Sequence, residues 1–213
     1  MTTRVKTCVH VLATEKYAPE ICEITIPTIK GYAERIGADF NLINTRKFPD
    51  FPVNYERMQI YEAGAGYDWN FNIDADMVIG KQLQDITEIF PPDAVRIVMA
   101  CDADRFFETK GNIYFERDGR NIGIVDAFIL SSRHTHDIWT PLPGKMADYV
   151  HLFKDGNTRR VSEYCISQNV ARFGIKYGGA FSRTDQIFHI GYTSGETEDA
   201  AYIARAKASD WGW

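Results

Sequence analysis

The stretch at residues 69–80, WNFNIDADMVIG, limits the folds open to this chain more than any other. An apolar run delivers two carboxylates one residue apart, Asp74 and Asp76, and then turns apolar again. A run of that length bounded by charge reads as a buried strand ending at a sheet edge. In open α/β sheets that edge is where ligands bind. Asp74 and Asp76 are hard oxygen ligands, suited to a divalent cation that itself carries phosphates. In so apolar a surround, unpaired carboxylates are costly unless ionised against a cation or a proton-bearing partner. The alternative reading is a capped turn or a solvated corner.

The flanking sequence supplies the rest of a parallel sheet. Residues 4–14 (RVKTCVHVLAT) alternate and then run apolar, rich in β-branched side chains, and form the first expected strand, with Ala13 and Thr14 at its carboxyl end. Pro19 suits the first turn of a helix. Ile21, Ile24, Thr28, Ile29, Tyr32 and Ile36 then recur at helical spacing, with Pro27 expected to kink that helix and Gly37 to end it. Residues 38–44 form a second strand, which completes a βαβ unit. Asn54 reads as the N-cap of a helix over 55–63. After the 69–80 run come a short helix at 83–90 and a strand at 95–100 that ends in a second acidic pair, Asp102 and Asp104. Asp118-Gly119, between β-rich segments 111–117 and 120–130, marks a hairpin, and 122–130 carries Asp126 inside an apolar run. Ser162 reads as the cap of a helix whose apolar side includes Cys165, Ile166, Val170 and Phe173, and a last strand covers 181–190.

Charge and cysteine usage narrow the class. The net charge is −5 and no basic run exceeds a pair such as Arg159-Arg160, which is no footprint for duplex nucleic acid. The cysteines form no CxxC pair; Cys8, Cys101 and Cys165 sit in apolar surroundings and read as buried thiols. No stretch approaches the ~20 apolar residues of a membrane span, and the start lacks a signal h-region. The expectation is a single cytoplasmic domain over residues 1–213 with no membrane span.

Each candidate site residue has a plain alternative. Asp102 and Asp104 precede Arg105 and Glu108 and suit a solvated loop, so the metal is placed at Asp74 and Asp76. His189, in an apolar strand, is either a satisfied core residue or a ligand. Arg57 on a helix is a surface charge or a phosphate contact, and Tyr17 a helix-entry staple or a pocket residue. Asp126 is either paired by a buried donor or exposed at a site. Glu163 is a first-turn acid favoured by the helix dipole or a site carboxylate.

The order of these residues over 4–192 resembles one family. A first strand ends in Ala13-Thr14 with Tyr17 just after it, a helix bears Arg57, an apolar strand ends Asp74-Ala75-Asp76, and a late His189 stands beside Ile190-Gly191. This pattern resembles the GT-A glycosyltransferases that use nucleotide-sugar donors, and most of all the retaining branch that includes glycogenin and bacterial lipopolysaccharide galactosyltransferases. The resemblance implies an α/β GT-A fold, a Rossmann-like central mixed sheet flanked by helices. It also implies a nucleotide-binding part over about 1–80 and an acceptor-binding part over about 81–213. By the same resemblance, Asp74, Asp76 and His189 hold Mn²⁺ or Mg²⁺ against the diphosphate of the donor, a UDP-sugar by family habit. Ala13, Thr14 and Tyr17 then hold the base and ribose, which Asp74 also touches, and Arg57 lies near the phosphates or the sugar. Residues 123–131 correspond to the strand that meets the acceptor, and Glu163 to an acidic position opening a later helix. Two features depart from the family: Ile124-Val125-Asp126 stands where relatives show an Asn-x-Gly-like segment, and Tyr192-Thr193-Ser194 replaces a Lys-Pro-Trp ending.

Glycosyl transfer requires that charge developing on a departing nucleoside diphosphate be stabilised, which a divalent cation does as a Lewis acid. An inverting course adds a carboxylate base on the acceptor hydroxyl; a retaining course holds the acceptor on the leaving-group face. Asp126, Glu163, Asp102 and Asp104 are the carboxylates on offer, and the sequence leaves their ranking open. The acceptor is open too: a glycan, a lipid-linked glycan, a protein side chain or a modified nucleobase. Two rivals stand beside this reading. A haloacid-dehalogenase-type phosphatase also opens on an apolar strand followed by Asp-x-Asp-x-Val, matched by residues 74–78 with Ser131 as a second motif, but its nucleophile lies near the start of its domain. The other rival is a non-catalytic nucleotide-sugar or glycan-binding module.

Overall fold

The computed structural model describes residues 5–14, 17–90, 92–98, 126–153, 158–181 and 187–189, with 94–98, 177–181 and 188–189 as backbone only. Asp102, Asp104, Cys101 and the expected hairpin at Asp118-Gly119 lie outside them.

The expected βαβ unit forms. β1 (Thr7–Leu12) leads through helix α1 (Pro19–Arg35) to β2 (Asp39–Ile43), which pairs parallel with β1. Pro19 enters the first turn, and Gly37, at φ 67°, follows the helix end in the left-handed conformation that glycine adopts without steric cost. α1 runs through Pro27 as one continuous helix. β3 (Trp69–Asp74) then pairs parallel with β1 on the other side, so that Leu12 stands opposite Asp74. With β5 (Ala94–Val98), β6 (Phe128–Ser132) and β7 (Lys176–Phe181), these strands form one sheet of order β2-β1-β3-β6-β5-β7. Within it β6 runs antiparallel to both β3 and β5. The chain leaves β1 toward β2 on one side and returns to β3 on the other. Strand order thus reverses between β1 and β3, and the crevice outside their carboxyl ends is the switch point where α/β sheets place ligands.

The 69–80 run is two strands. β3 stops at Asp74, a turn holds Ala75 and Asp76, and β4 (Met77–Ile79) leaves the main sheet to pair antiparallel with β8 (Ile187–His189). This explains the apolar residues on both sides of the acidic pair, since β4 is as deeply buried as β3. Two threonines of α1 hold the departure. Thr25 Oγ1 donates to the Ala75 carbonyl within the turn, and Ile79 N donates to Thr28 Oγ1 at 3.0 Å.

The two faces of β3 carry different chemistry. Phe71 meets Tyr32 of α1 edge-on at 6.0 Å and Phe128 of β6 at 6.0 Å, the centre of the core. On the opposite face, Asn70 Nδ2 donates to the Gly64 carbonyl and Asn70 Oδ1 lies 2.9 Å from His10 Nε2. Asn41 Nδ2 lies 3.0 Å from His10 Nδ1; since the amide nitrogen must donate there, Nε2 carries the ring proton and donates to Asn70. Burial depresses His10 from 6.5 to about 4, keeping the ring neutral.

The segment over that polar face departs from expectation. Val53–Gln59 is a 3-10 helix and only Ile60–Ala63 (α2) is α-helical. Asn54 caps neither; its amide donates to the Arg159 carbonyl and to Ser162 Oγ at 3.0 Å. The short helix expected at 83–90 is a 3-10 turn, Ile86–Glu88, capped by Asp85. The late helix α3 (Val161–Arg172) forms, but its N-cap is Arg160 and not Ser162, whose hydroxyl is spent on Asp126. Cys165 and Ile166 of α3 are core, while Phe173 is exposed. Asp126 sits just before β6 rather than within a strand. β7 was not expected: Gly178 and Gly179 hide its pattern.

Candidate active site at the β1/β3 crevice

A pocket of about 540 Å³ opens at the switch point. Thr14 and Tyr17 follow β1, Asp74 and Asp76 bracket the turn after β3, Asp126 precedes β6, and Arg57 lies on the 3-10 helix. The antiparallel run of β6 brings its start to the same edge as the end of β3, which is why residues 52 positions apart in sequence meet here.

Arg57 is the hub. It is 5% exposed, and its Nη1 lies 3.1 Å from Asp74 Oδ1 and 3.1 Å from Asp126 Oδ1. The same nitrogen donates to the Asp126 carbonyl at 2.6 Å, and Nε donates to the Asn54 carbonyl at 2.9 Å. Burial alone would lower the guanidinium, but the carboxylates of Asp126 and Asp74, with Glu163 behind them, outweigh it and hold it above its ordinary value. Asp126 is tied further: Ser162 Oγ donates to Oδ2, and Asn72 Nδ2 donates to the backbone carbonyl at 2.6 Å. Arg57, Asn54, Ser162 and Asp126 thus close a hydrogen-bonded ring that joins the 3-10 helix, α3 and the start of β6.

Tyr17 and Thr14 line the other end. Tyr17 OH donates to Asp76 Oδ2 at 3.1 Å. Burial, then the charges of Asp76 and Asp74, push the phenol up, so it stays a donor. Thr14 is 2% exposed, and its Oγ1 has no hydrogen-bond partner among the described residues. A buried hydroxyl without a partner costs stability unless something else supplies one, and this one lines the pocket.

Of the residues expected from sequence, the pocket gathers Thr14, Tyr17, Arg57, Asp74, Asp76 and Asp126. Ala13 is not in the lining; its amide donates to the Ile43 carbonyl and extends the β1–β2 pairing. Glu163 lies beneath the wall, 5% exposed, with Oε1 2.6 Å from Arg160 Nη1. Burial, then the charge of Asp126, raise its carboxyl, and Arg160 and Arg57 oppose the rise. Met77 and His189 are register partners in the β4–β8 pair, so His189 is placed one residue from Asp76 across the small sheet. Among the described residues no group of three His, Cys, Asp or Glu side chains is gathered as a ligand set. Asn54, Arg159 and Arg160 also line the pocket. No basic run in the sequence exceeds this pair, and its place just before a helix was the available signal.

Two carboxylates bracketing one turn suit a hard divalent cation. A carboxylate has about four acceptor positions, so the Tyr17 and Arg57 contacts are compatible with coordination by Asp76 and Asp74.

No protein-family profile matches this sequence, and no curated protein sequence does. Solved structures do match. The chain aligns over 94% of its length, and 99% of the other chain, with a glycosyltransferase involved in glycosylation of the major capsid of PBCV-1, at TM-score 0.54 and 10% identity. It aligns over 95% of both chains with an active-site mutant of LgtC, a galactosyltransferase, at TM-score 0.52 and 13% identity. At such identities the likeness is one of fold. A mixed sheet flanked by helices, with the acidic turn at the β1/β3 switch point, gives this chain the GT-A-type fold of those glycosyltransferases.

Proposed function

We propose that this protein is a metal-dependent glycosyltransferase that moves a sugar from a nucleoside-diphosphate sugar, UDP-linked in the first instance, to an acceptor hydroxyl. The observation that carries this reading is one pocket holding Asp74, Asp76, Arg57 and Asp126 at a GT-A switch point, with a buried Thr14 hydroxyl that has no partner among the described residues. The phosphatase reading of the same tripeptide does not suit this fold, in which Asp74 ends the third strand, behind a complete βαβ unit.

In this reading Asp74 and Asp76, with His189 from β8, hold Mn²⁺ or Mg²⁺. When bound, that cation supplies Lewis-acid stabilisation to the departing diphosphate. Tyr17 OH fixes the orientation of Asp76. Thr14 Oγ1 takes the base or ribose as its missing partner. Arg57 holds Asp74 in place from behind. Asp126 is a positioning residue: its carboxylate meets Arg57 and Ser162 and ties the 3-10 helix and α3 to the start of β6. The part over about 1–80 supplies the nucleotide groups and the two aspartates of the metal site, while His189, Asp126, Arg159 and Arg160 come from the part over about 81–213.

A thermal-shift screen of nucleotide sugars with and without Mn²⁺ tests the reading. A donor at 100 times its dissociation constant stabilises the folded protein by about 2.7 kcal/mol. The expected result is a shift from one class of donor that needs the metal and disappears in Asp76→Asn. If no nucleotide sugar shifts the melting point, or shifts occur equally without metal and in Asp76→Asn, the reading is wrong.

A further inference from the structure

Arg159 and Arg160 stand at the edge of the pocket that also holds Asp74 and Asp76. Their placement is built. They end the 3-10 turn Thr158–Arg160, and Arg160 is the N-cap of α3. Asn54 Nδ2 holds the Arg159 carbonyl and also bonds Ser162 Oγ at 3.0 Å, which pins that turn to the opposite wall. Glu163, one helical turn on and almost fully buried, fixes the Arg160 guanidinium at 2.6 Å, leaving that side chain 28% exposed. A buried carboxylate that holds an arginine at a pocket rim orients its planar fork, the geometry suited to bidentate recognition of phosphate or carboxylate.

The other guanidinium in the pocket has a different task. The Nη1 and Nε of Arg57 serve Asp74, Asp126 and the Asn54 carbonyl. Asp74, Asp76 and Asp126 place three carboxylates around the space a diphosphate would occupy. A metal between two of them offsets part of that repulsion, and a second centre of positive charge facing them is the electrostatic complement for an anionic leaving group.

Resting on the donor reading above, we infer that Arg159 and Arg160 are specificity-determining residues that engage the phosphate nearest the sugar, and so select nucleoside-diphosphate over nucleoside-monophosphate leaving groups. Glu163 acts through Arg160 and is a positioning residue.

The test compares binding of UMP, UDP and UDP-glucuronate by calorimetry in Mn²⁺, or the matching set for whichever base the donor screen identifies. The proteins are wild type, Arg160→Gln, Arg160→Lys, Arg159→Gln/Arg160→Gln, Glu163→Gln and Asp76→Asn, each with its melting point. Charge-assisted bonds to phosphate of the usual strength correspond to about 10–100-fold in affinity. Wild type is expected to prefer UDP to UMP by that order, and Arg160→Gln to lose most of the preference while UMP binding holds. Arg160→Lys, which keeps the charge but not the fork, should fall between, and Glu163→Gln should lose a smaller part. Should the double variant fail to fold, Arg160→Lys and Glu163→Gln still carry the comparison. An unchanged UDP/UMP ratio in the arginine variants overturns the inference, as does equal weakening of both nucleotides. Weakening of UDP-glucuronate alone also overturns it, because the arginines would then read a carboxylate on the sugar. If UDP binds through Asp76 but the ratio ignores the arginines, only this inference falls; if no nucleoside diphosphate binds wild type, the donor reading falls with it.

Discussion

Replacing Asp126 by Asn keeps the shape of the side chain and removes its charge. In the wild type Arg57 Nη1 is shared between Asp126 Oδ1 and Asp74 Oδ1, both at 3.1 Å, and both partners of the Arg57–Asp126 contact are below 10% exposure. Losing one charge-assisted bond costs about 1.5–3 kcal/mol. That is less than the ~3–5 kcal/mol of stripping a buried ion of its partner altogether, because Asp74 and the Asp126 carbonyl remain to Arg57. The second oxygen adds to the loss. Ser162 Oγ donates to Asp126 Oδ2 and receives Asn54 Nδ2, so an amide placed there forces the hydroxyl to reverse, at about 1 kcal/mol. Together these give about 2–4 kcal/mol, and at roughly 2–4 °C per kcal/mol for a chain of this size the melting point should fall by about 5–15 °C. Scanning calorimetry on Asp126→Asn, Ser162→Ala and the double variant tests the ring as well as the residue. Contacting groups should couple by at least about 0.5 kcal/mol. A melting point within about 2 °C of wild type, or strictly additive losses, would show that Asp126 does not join these elements.

Three further perturbations probe the scaffold around the site. His10 is held neutral by burial, with a folded value of about 4 against 6.5 unfolded. Its contribution is therefore complete above pH 6.5 and lost as pH falls toward 4, on the order of 3 kcal/mol; denaturant titrations of wild type and His10→Gln should diverge in that window, and parallel pH profiles would contradict the assignment. A Cβ added at Gly64 would collide with Asn70 Oδ1 and lie 2.8 Å from the Ile60 carbonyl. Gly64→Ala should cost about 1–3 kcal/mol by urea denaturation, and a neutral result would mean that Asn70 is free to move. Thr25→Val preserves shape but leaves the buried Ala75 carbonyl of the acidic turn without its donor. It should cost about 1–2 kcal/mol and weaken Mn²⁺-dependent nucleotide binding several-fold, whereas a stability loss with binding intact would separate that hydroxyl from the site.

What the sequence disclosed follows how locally each feature is encoded. β1, α1 and β2 are legible because alternation, helical spacing, Pro19 and Gly37 all agree within one short stretch. The acidic turn is legible for the same reason, since an apolar run meeting paired carboxylates needs a special environment wherever it folds. The split of that run into β3 and β4 is not legible, because β4 owes its separate course to β8, more than 100 residues later. β7 was hidden by Gly178 and Gly179, which carry no side-chain pattern; its parallel pairing with β5 makes it a strand. Asn54 and Ser162 have the composition of helix caps, and local chemistry alone assigns them so. Tertiary contacts take both away: the pair bonds across the pocket wall, and Asp126 claims the Ser162 hydroxyl. Arg57 and Glu163 look like surface charges on any helical wheel, and for Arg57 only the long-range approach of Asp126 reveals the buried pair.

The central claim is that Asp74 and Asp76 hold a cation against a donor diphosphate. Release of nucleoside diphosphate from the donor found by the screen tests it most directly, measured after chelation and again after Mn²⁺ is restored. The account predicts release that vanishes with chelation, returns with Mn²⁺, and is reduced at least about 100-fold, or 2.7 kcal/mol, in Asp76→Asn. Release that persists without metal in both wild type and Asp76→Asn would contradict it, as would Asp74-dependent hydrolysis of p-nitrophenyl phosphate in its place.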